Sequence, residues 1–321
     1  MSSTCRKHIA HKRVPIREIF EIEFAALKMK QSQRIRIQDT YEKQILRLTE
    51  AVIRHLPKDN DNTSEFVAQA GQRGKERTLF AELMHAFHAN VGTKYRPYAM
   101  VVDLPSRGEF NCYSATVMLA DVLTRAGKAV NIALVPSHIF VVGEENAMFA
   151  KTAKSDVVHR RREIGSFYSS INEVDVSKLL SCAHMTAGRI FMQKDMNHKS
   201  LSSFIRAERI TPKDPDVLCN KGVAYLYMGF RKAAERAYLE GLKINGDHGE
   251  LLFNYAALLN HSSRYIEALH ISKKAARINS ADVQTLELVE TILRNLGRDS
   301  EAKRYAKMVK GLSEEKGLLR T

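Results

Sequence analysis

Cys112 and His138 are the two residues of this chain whose types and order could perform nucleophilic chemistry. A thiol in the first turn of a helix lies at the positive end of the helix dipole, which favours the thiolate and lowers the pKa of the thiol. A histidine that a sheet places beside it can accept a proton and later return it. Such a pair predicts attack on an amide or peptide carbonyl through a thioester, which requires no metal or organic cofactor.

The segments around these residues predict a helix followed by three strands. The chain breaks at Asn111, and apolar residues at helical spacing after Cys112 then predict a helix that ends at Gly127. Apolar runs with strand character follow, and His138 stands where the second of them opens. The predicted strands cover 129–135, 139–142 and 147–152.

The turn between the last two strands determines which residue faces His138. A turn centred on Glu145 pairs residues whose numbers sum to 290, so His138 faces Thr152 across the hairpin. The threonine hydroxyl can accept a hydrogen bond from the imidazole, although it cannot stabilise imidazolium as a carboxylate does. Thr152 is therefore the predicted orienting residue, and it lacks the charge that would favour turnover.

The order of Gly108, Cys112, a helix and then His138 on a strand resembles the transglutaminase-like branch of the papain-like cysteine enzymes. The resemblance covers residues 95–152. The resemblance implies an α+β transglutaminase-like core with Cys112 as nucleophile and His138 as general base. It also implies an oxyanion hole that includes the backbone N–H of Cys112, with Asn111 and Ser106 as the candidate second donors. Family members usually carry an acidic residue where this chain has Thr152.

Two functions follow from that resemblance. The first is a thiol-dependent hydrolase or transamidase, which would be a cysteine peptidase, an amidase or an acyl transferase. The second is a binding protein that keeps the fold and has lost catalysis. Retention of both Cys112 and His138 favours the first, and the threonine at position 152 favours the second.

The last third of the chain repeats a pattern of its own. Blocks with similar residues at equivalent positions begin at Ser181, Pro215, Gly249 and Val283. Their spacing is the period of the tetratricopeptide (TPR) helical hairpin, about 34 residues, in which small residues let two helices approach closely. The eighth position of the blocks reads Gly188, Gly222, Ala256 and Glu290, and the twentieth reads Ser200, Ala234, Ala268 and Ala302. The large residue at position 290 is typical of an outer capping repeat.

The first helices of such an array line its concave face, which predicts a protein or peptide partner. Asn220 and Asn254 occupy the same repeat position on that face, and Phe253 stands beside the second of them. Paired amides at this position could hydrogen-bond the backbone of an extended peptide. The alternative is that these asparagines join neighbouring hairpins.

Composition narrows the possible partners. The net charge of +14 raises the question of an anionic partner, but the basic runs are short and no aromatic-interleaved basic strand accompanies them. We therefore interpret the charge as general surface character, with a nucleic-acid or anionic-membrane contact as the weaker alternative. No apolar run is long enough for a membrane span. The four cysteines match neither a disulfide framework nor a metal motif, which predicts a reducing, cytoplasmic location. His85 and His88 lack a recognisable third ligand, so no metal is expected.

We therefore predict three segments. A helical N-terminal extension covers 1–60, a transglutaminase-like Cys–His domain covers 61–175, and an all-α TPR array of about four repeats covers 178–316. The extension either packs on the Cys–His core as a cap or forms an interaction arm. The basic stretch 154–162 is expected to be an exposed loop.

Overall fold

The structure, a computed structural model, describes residues 14–54, 94–95, 101–127, 130–135, 138–142, 147–152, 155–160, 172–174 and 176–318. The chain divides into two compact units, Met1–Ala187 and Gly188–Thr321. The boundary between them falls inside the helix Lys178–Gln193, which opens the repeat region.

Two helices begin the first unit, as the apolar periodicity predicts. They are α1 (Ile16–Leu27) and α2 (Gln31–Arg54), and the chain turns between them at Lys28, whose φ is 55°. Phe20 on α1 meets Tyr41 on α2 edge to face, with 5.0 Å between the ring centroids. Both side chains are buried, so the two helices share one apolar seam.

Two further helices of this unit lie among the described residues, and a buried carboxyl group holds the start of the first of them to α1. They are α3 (Asp103–Arg107) and α4 (Cys112–Arg125). Glu23 on α1 accepts hydrogen bonds from the backbone N–H groups of Val101 and Val102, at 3.1 and 2.9 Å. Burial raises the pKa of Glu23 to about 8, against the lowering effect of these two bonds.

Polar contacts join α2 to α4. Arg125 donates to both carboxylate oxygens of Glu42, at 2.7 and 3.0 Å, and to Asp121 at 3.0 Å. The Tyr41 hydroxyl donates to the other oxygen of Asp121 at 3.2 Å. The N-terminal helices therefore pack against the cysteine helix α4 as a cap, which is the first of the two predicted arrangements.

The strands of the first unit form two sheets. The smaller is a parallel pair, β1 (Lys94–Tyr95) and β2 (Glu109–Phe110). The larger is antiparallel, with strands in the order β6-β5-β4-β3-β7. Its strands are β3 (Asn131–Val135), β4 (His138–Val142), β5 (Ala147–Thr152), β6 (Ser155–Arg160) and β7 (Asn172–Val174).

Three of these strands and one register confirm the sequence predictions. Strands β3, β4 and β5 begin and end at or near the predicted residues. The pairs that join β4 to β5 are Val141–Phe149 and Val142–Met148, whose numbers sum to 290 as predicted. The predicted register is therefore confirmed for these two pairs.

The part of the stretch 154–162 that the structure describes is a strand rather than the loop that the sequence predicts. Residues Ser155–Arg160 form β6, which pairs with β5 from Ala147–Arg160 to Thr152–Ser155. A short run of mixed polarity cannot be told from a loop by its pattern alone. Pairing with β5 supplies the backbone hydrogen bonds that turn it into a strand.

Eight helices form the repeat region in the part of the chain that the structure describes. The first helices of the hairpins are α5 (Lys178–Gln193), α7 (Pro215–Tyr227), α9 (Gly249–His261) and α11 (Val283–Asn295). The second helices are α6 (Asn197–Ile210), α8 (Arg231–Ile244), α10 (Tyr265–Ile278) and α12 (Asp299–Leu318). Helices α7, α9 and α11 begin at the predicted block starts, which confirms the array of TPR-type hairpins. No described helix is both long and apolar enough to cross a membrane.

Close approach at the eighth repeat position holds the hairpins together. A Cβ atom added to Gly222 would lie 2.3 Å from Cε1 of Tyr238, and one added to Gly188 would lie 2.5 Å from Cε1 of Phe204. An aromatic ring from the second helix therefore fills the space that a side chain at the eighth position would need. Glycine at that position is required by packing rather than by backbone conformation.

The third and fourth hairpins have residues other than glycine at the eighth position. Ala256 and Ser272 are both small, so the third hairpin has no ring at this crossing. In the fourth, the carboxylate of Glu290 pairs with Arg294 of its own helix at 2.7 Å. The twentieth position is buried in all four hairpins, at Ser200, Ala234, Ala268 and Ala302.

Replacing Gly222 by alanine is expected to lower the free energy of unfolding by about 1–3 kcal/mol, because the new methyl group overlaps the ring of Tyr238. Gly249→Ala is the matched control, since nothing lies within 4 Å of a Cβ atom at that position. Urea unfolding followed by circular dichroism measures both variants. Equal stabilities for the two would contradict the packing described at Gly222.

Candidate functional site

Cys112 is the first residue of α4, and a capping box precedes it. The side-chain oxygen of Asn111 accepts the N–H of Ser114 at 2.9 Å, and the hydroxyl of Ser114 accepts the N–H of Asn111 at 2.9 Å. The break in the sequence pattern at Asn111 is therefore a helix cap. A contribution of Asn111 or of the Cys112 backbone to an oxyanion hole stays a prediction.

The start of β4 lies against Cys112. The Thr116 hydroxyl is 2.6 Å from the carbonyl oxygen of Cys112 and 3.0 Å from that of Ile139, and it can donate to either. The backbone of Ile139 also hydrogen-bonds the Cys112 thiol. Pairing between β4 and β5 begins only at Val141, and along the preceding part of β4 the carbonyl oxygen of Ile139 meets the Thr116 hydroxyl of α4. The residue before Ile139 is His138, so the backbones of the predicted pair are neighbours.

Burial raises the pKa of the Cys112 thiol. Hydrogen bonds from the backbone of Ile139, Tyr113 and Cys112 itself lower it, but by less than burial raises it. The predicted lowering by the N-terminus of α4 is therefore wrong in its net direction. At neutral pH this half-buried thiol is protonated unless a base removes its proton.

The third predicted member is Thr152, the last residue of β5. It pairs with Ser155 of β6. The register of the two pairs that join β4 to β5, whose residue numbers sum to 290, would place Thr152 opposite His138 if it continued to the end of β5. Contact between the imidazole and the threonine hydroxyl stays a prediction. His85 and His88 lie outside the described residues, and within those residues no group of three or more His, Cys, Asp or Glu side chains is placed to hold a metal.

A second candidate site is the inner face of the array, which we define by the second, sixth, ninth and thirteenth repeat positions of α7 and α9. Steps of three and four along a helix return to the same side, so these positions lie on one stripe of each helix. All eight residues are exposed or half-buried. They are Asp216, Asn220, Val223, Tyr227, Glu250, Asn254, Ala257 and His261.

The two asparagines of the inner face use their amide nitrogens within the protein. Asn220 donates to the carbonyl oxygen of Asp216 in its own helix at 2.7 Å, and Asn254 donates to the sulfur of Cys219 in the preceding hairpin at 3.2 Å. The amide nitrogen of Asn254 therefore joins neighbouring hairpins, as the alternative interpretation of these asparagines predicts. Neither amide oxygen has a hydrogen-bond partner among the described residues. Phe253 is half-buried next to Asn254.

A histidine cap at the edge of this face has no counterpart in the sequence prediction. Nδ1 of His248 accepts the N–H of Leu251 at 3.3 Å, and Nε2 lies 2.9 Å from a carboxylate oxygen of Asp216. Burial lowers the pKa of His248, but the hydrogen bond and charge of Asp216 outweigh it and the net pKa is raised. Histidine is an unusual N-cap, so only its place just before a helix hinted at this role.

Comparison with known structures places similarity in the C-terminal helical region. The crystal structure of MamA aligns with 14% identity and a TM-score of 0.40, covering 43% of this chain and 80% of that chain. The pilF structure from Pseudomonas aeruginosa aligns with 19% identity and a TM-score of 0.40, covering 42% and 61%. YrrB, a TPR protein with an unusual peptide-binding site, aligns with 14% identity and a TM-score of 0.36, covering 43% and 74%.

These likenesses are too distant to carry an argument about function. No protein-family model matches the sequence, and no curated protein matches it. The TPR assignment rests on the helices of this chain, because α7, α9 and α11 begin at the same position of successive repeats.

Proposed function

We propose that this chain is a TPR binding protein that holds an extended segment of a protein partner on the inner face of its second and third repeats. The pair Asn220 and Asn254 carries the proposal. The two amides lie at the same repeat position on adjacent first helices, and each keeps an oxygen that no described group bonds. An extended peptide offers unpaired backbone N–H groups that such oxygens can accept.

The spacing of the two amides suits a particular peptide conformation. Packed helices lie about 8–10 Å apart, so equivalent side chains on α7 and α9 are separated by about that distance. A polyproline II segment repeats its backbone direction with every turn of three residues, or about 9 Å. The proposed peptide therefore presents N–H groups one such turn apart to Asn220 and Asn254.

Other residues of the inner face supply apolar contact. Val223 and Ala257 are half-buried between the amides and the C-terminal ends of their helices. Tyr227 is 61% exposed at the end of α7 and offers a rigid aromatic surface. Exposed tyrosine contributes strongly to peptide interfaces because it buries much area at a small entropic cost.

Peptides selected from a random phage-displayed library against the full chain test this proposal. The double variant Asn220→Ala, Asn254→Ala is expected to bind the selected peptides about tenfold more weakly or worse, because two hydrogen bonds are lost. Isothermal titration calorimetry measures the dissociation constant of each variant.

Asn245→Ala with Asn279→Ala is the matched control. These two asparagines also share one position in successive repeats, and each side chain accepts a backbone N–H just after a second helix, away from the inner face. Equal losses in the two double variants would show that the amides of the inner face have no special part in binding.

A second candidate function is a thiol hydrolase or transamidase of the transglutaminase-like class, carried by the segment 61–175. The contact between the Cys112 thiol and the backbone of Ile139, the residue after His138, supports it. In this mechanism the Cys112 sulfur attacks a carbonyl as His138 accepts its proton, and His138 then protonates the departing amine. Water or another amine opens the thioester. Thr152 would orient the imidazole.

The rate of Cys112 alkylation by iodoacetamide against pH tests the pair, with Cys112→Ser to subtract the other thiols. His138→Ala is expected to move the midpoint to higher pH, because the imidazolium that stabilises the thiolate is removed. Lys43→Ala on an exposed face of α2 is the control. An unchanged midpoint in His138→Ala would exclude a coupled Cys–His pair and leave the binding function.

A further inference from the structure

The second helices of the four hairpins present a stripe that carries cations and no acids. We define this outer face by repeat positions 18, 22, 25 and 29, which lie on one side of each helix. Fourteen of its sixteen residues are exposed and the other two are half-buried. Eight are Lys or Arg, two are His and none is Asp or Glu. Position 29 is basic in three successive repeats, at Arg209, Lys243 and Arg277.

The cations of the outer face are almost entirely unpaired. Lys273 forms an ion pair with Glu301 at 3.4 Å, and the other seven have no ion pair within the described residues. Cations elsewhere in the array behave differently, since Lys221 and Arg264 each have a carboxylate oxygen at 2.6 Å. Seven unneutralised cations on one face of the array create a positive field that attracts an extended anionic surface.

Two properties of the outer face decide which anionic surface it suits. Aliphatic side chains stand exposed among the cations, with Ile266 at 79% and Leu239 at 39%. No Phe, Tyr or Trp occupies any of the sixteen positions, so the face lacks the large aromatic platforms on which the bases of single-stranded nucleic acids stack. Cations mixed with exposed aliphatic groups are typical of proteins that lie on a membrane surface.

We propose that the outer face docks the array on a membrane surface that contains anionic lipid. The cations contact lipid headgroup phosphates and carboxylates, while Ile266 and Leu239 reach toward the acyl boundary. The inner face is formed by the other helices of the hairpins, so a peptide and a membrane can be held together. This inference does not depend on the peptide proposal.

Flotation of the full chain with phosphatidylcholine vesicles, with and without phosphatidylserine, tests the proposal. Binding is expected only with phosphatidylserine. The triple variant Arg236→Gln, Lys243→Gln, Arg277→Gln is expected to bind about a hundredfold more weakly, since each cation near an anionic surface contributes about 1 kcal/mol. Ile266→Ser is expected to weaken vesicle binding several-fold.

The control triple variant Arg36→Gln, Lys43→Gln, Arg47→Gln removes the same charge from exposed positions of α2. It is expected to bind vesicles like the wild type. Three results would overturn the proposal. They are equal losses in the two triple variants, binding that does not depend on phosphatidylserine, and tighter binding to duplex DNA than to the vesicles at the same salt concentration.

Discussion

The ring of Tyr238 lies over the bare backbone of Gly222, and this contact sets how closely the two helices of the second hairpin pack. Phe204 and Gly188 make the same contact in the first hairpin. In all four hairpins a buried small residue at the twentieth position accompanies this crossing, and the helices repeat with the same period. Equivalent residues of successive hairpins therefore fall into rows, an inner row of amides and an outer row of cations. A larger side chain at Gly188 or Gly222 would push the facing ring and its helix away.

The helical array could be predicted from the sequence because packing of this kind leaves a periodic trace. Small residues recur at the same positions of successive repeats, and the starts of α7, α9 and α11 follow from them. The register of the two pairs that join β4 to β5 was equally predictable, since the position of a turn sets the register of the strands beside it. Both features depend on short-range sequence order.

Features that depend on distant contacts left no such trace. Strand β6 is defined by its pairing with β5, and its own residues carry no clear period. Glu23 lies on the apolar side of α1 with Ile19, Phe20 and Phe24, and it is buried there. The N–H groups that its carboxylate accepts belong to Val101 and Val102, which the local pattern of α1 cannot indicate. The pKa of Cys112 follows its burial rather than its place on the helix. Burial is a property of the assembled unit, which a local pattern cannot report.

The two parts of the chain offer different chemistry. In the first, the cysteine and the start of β4 are adjacent, but the thiol is protonated at rest and its predicted orienting partner is neutral. In the second, the first helices carry two amide oxygens and the second helices carry seven cations that have no partner within the described part of the chain. The second set needs no proton transfer to act, because hydrogen bonding and charge attraction are ready in the folded state. Binding is therefore the better supported function.

Photocrosslinking tests whether a bound peptide lies on the inner face, because it locates the peptide on the first or the second helices. Benzoylphenylalanine would replace Tyr227 on the inner face or Leu239 on the outer face, and each protein would be irradiated with a library-selected peptide. A peptide held on the inner face gives a crosslinked product from position 227 and none from position 239. A product from position 239 alone would contradict binding on the inner face, because the peptide would then lie on the second helices rather than the first.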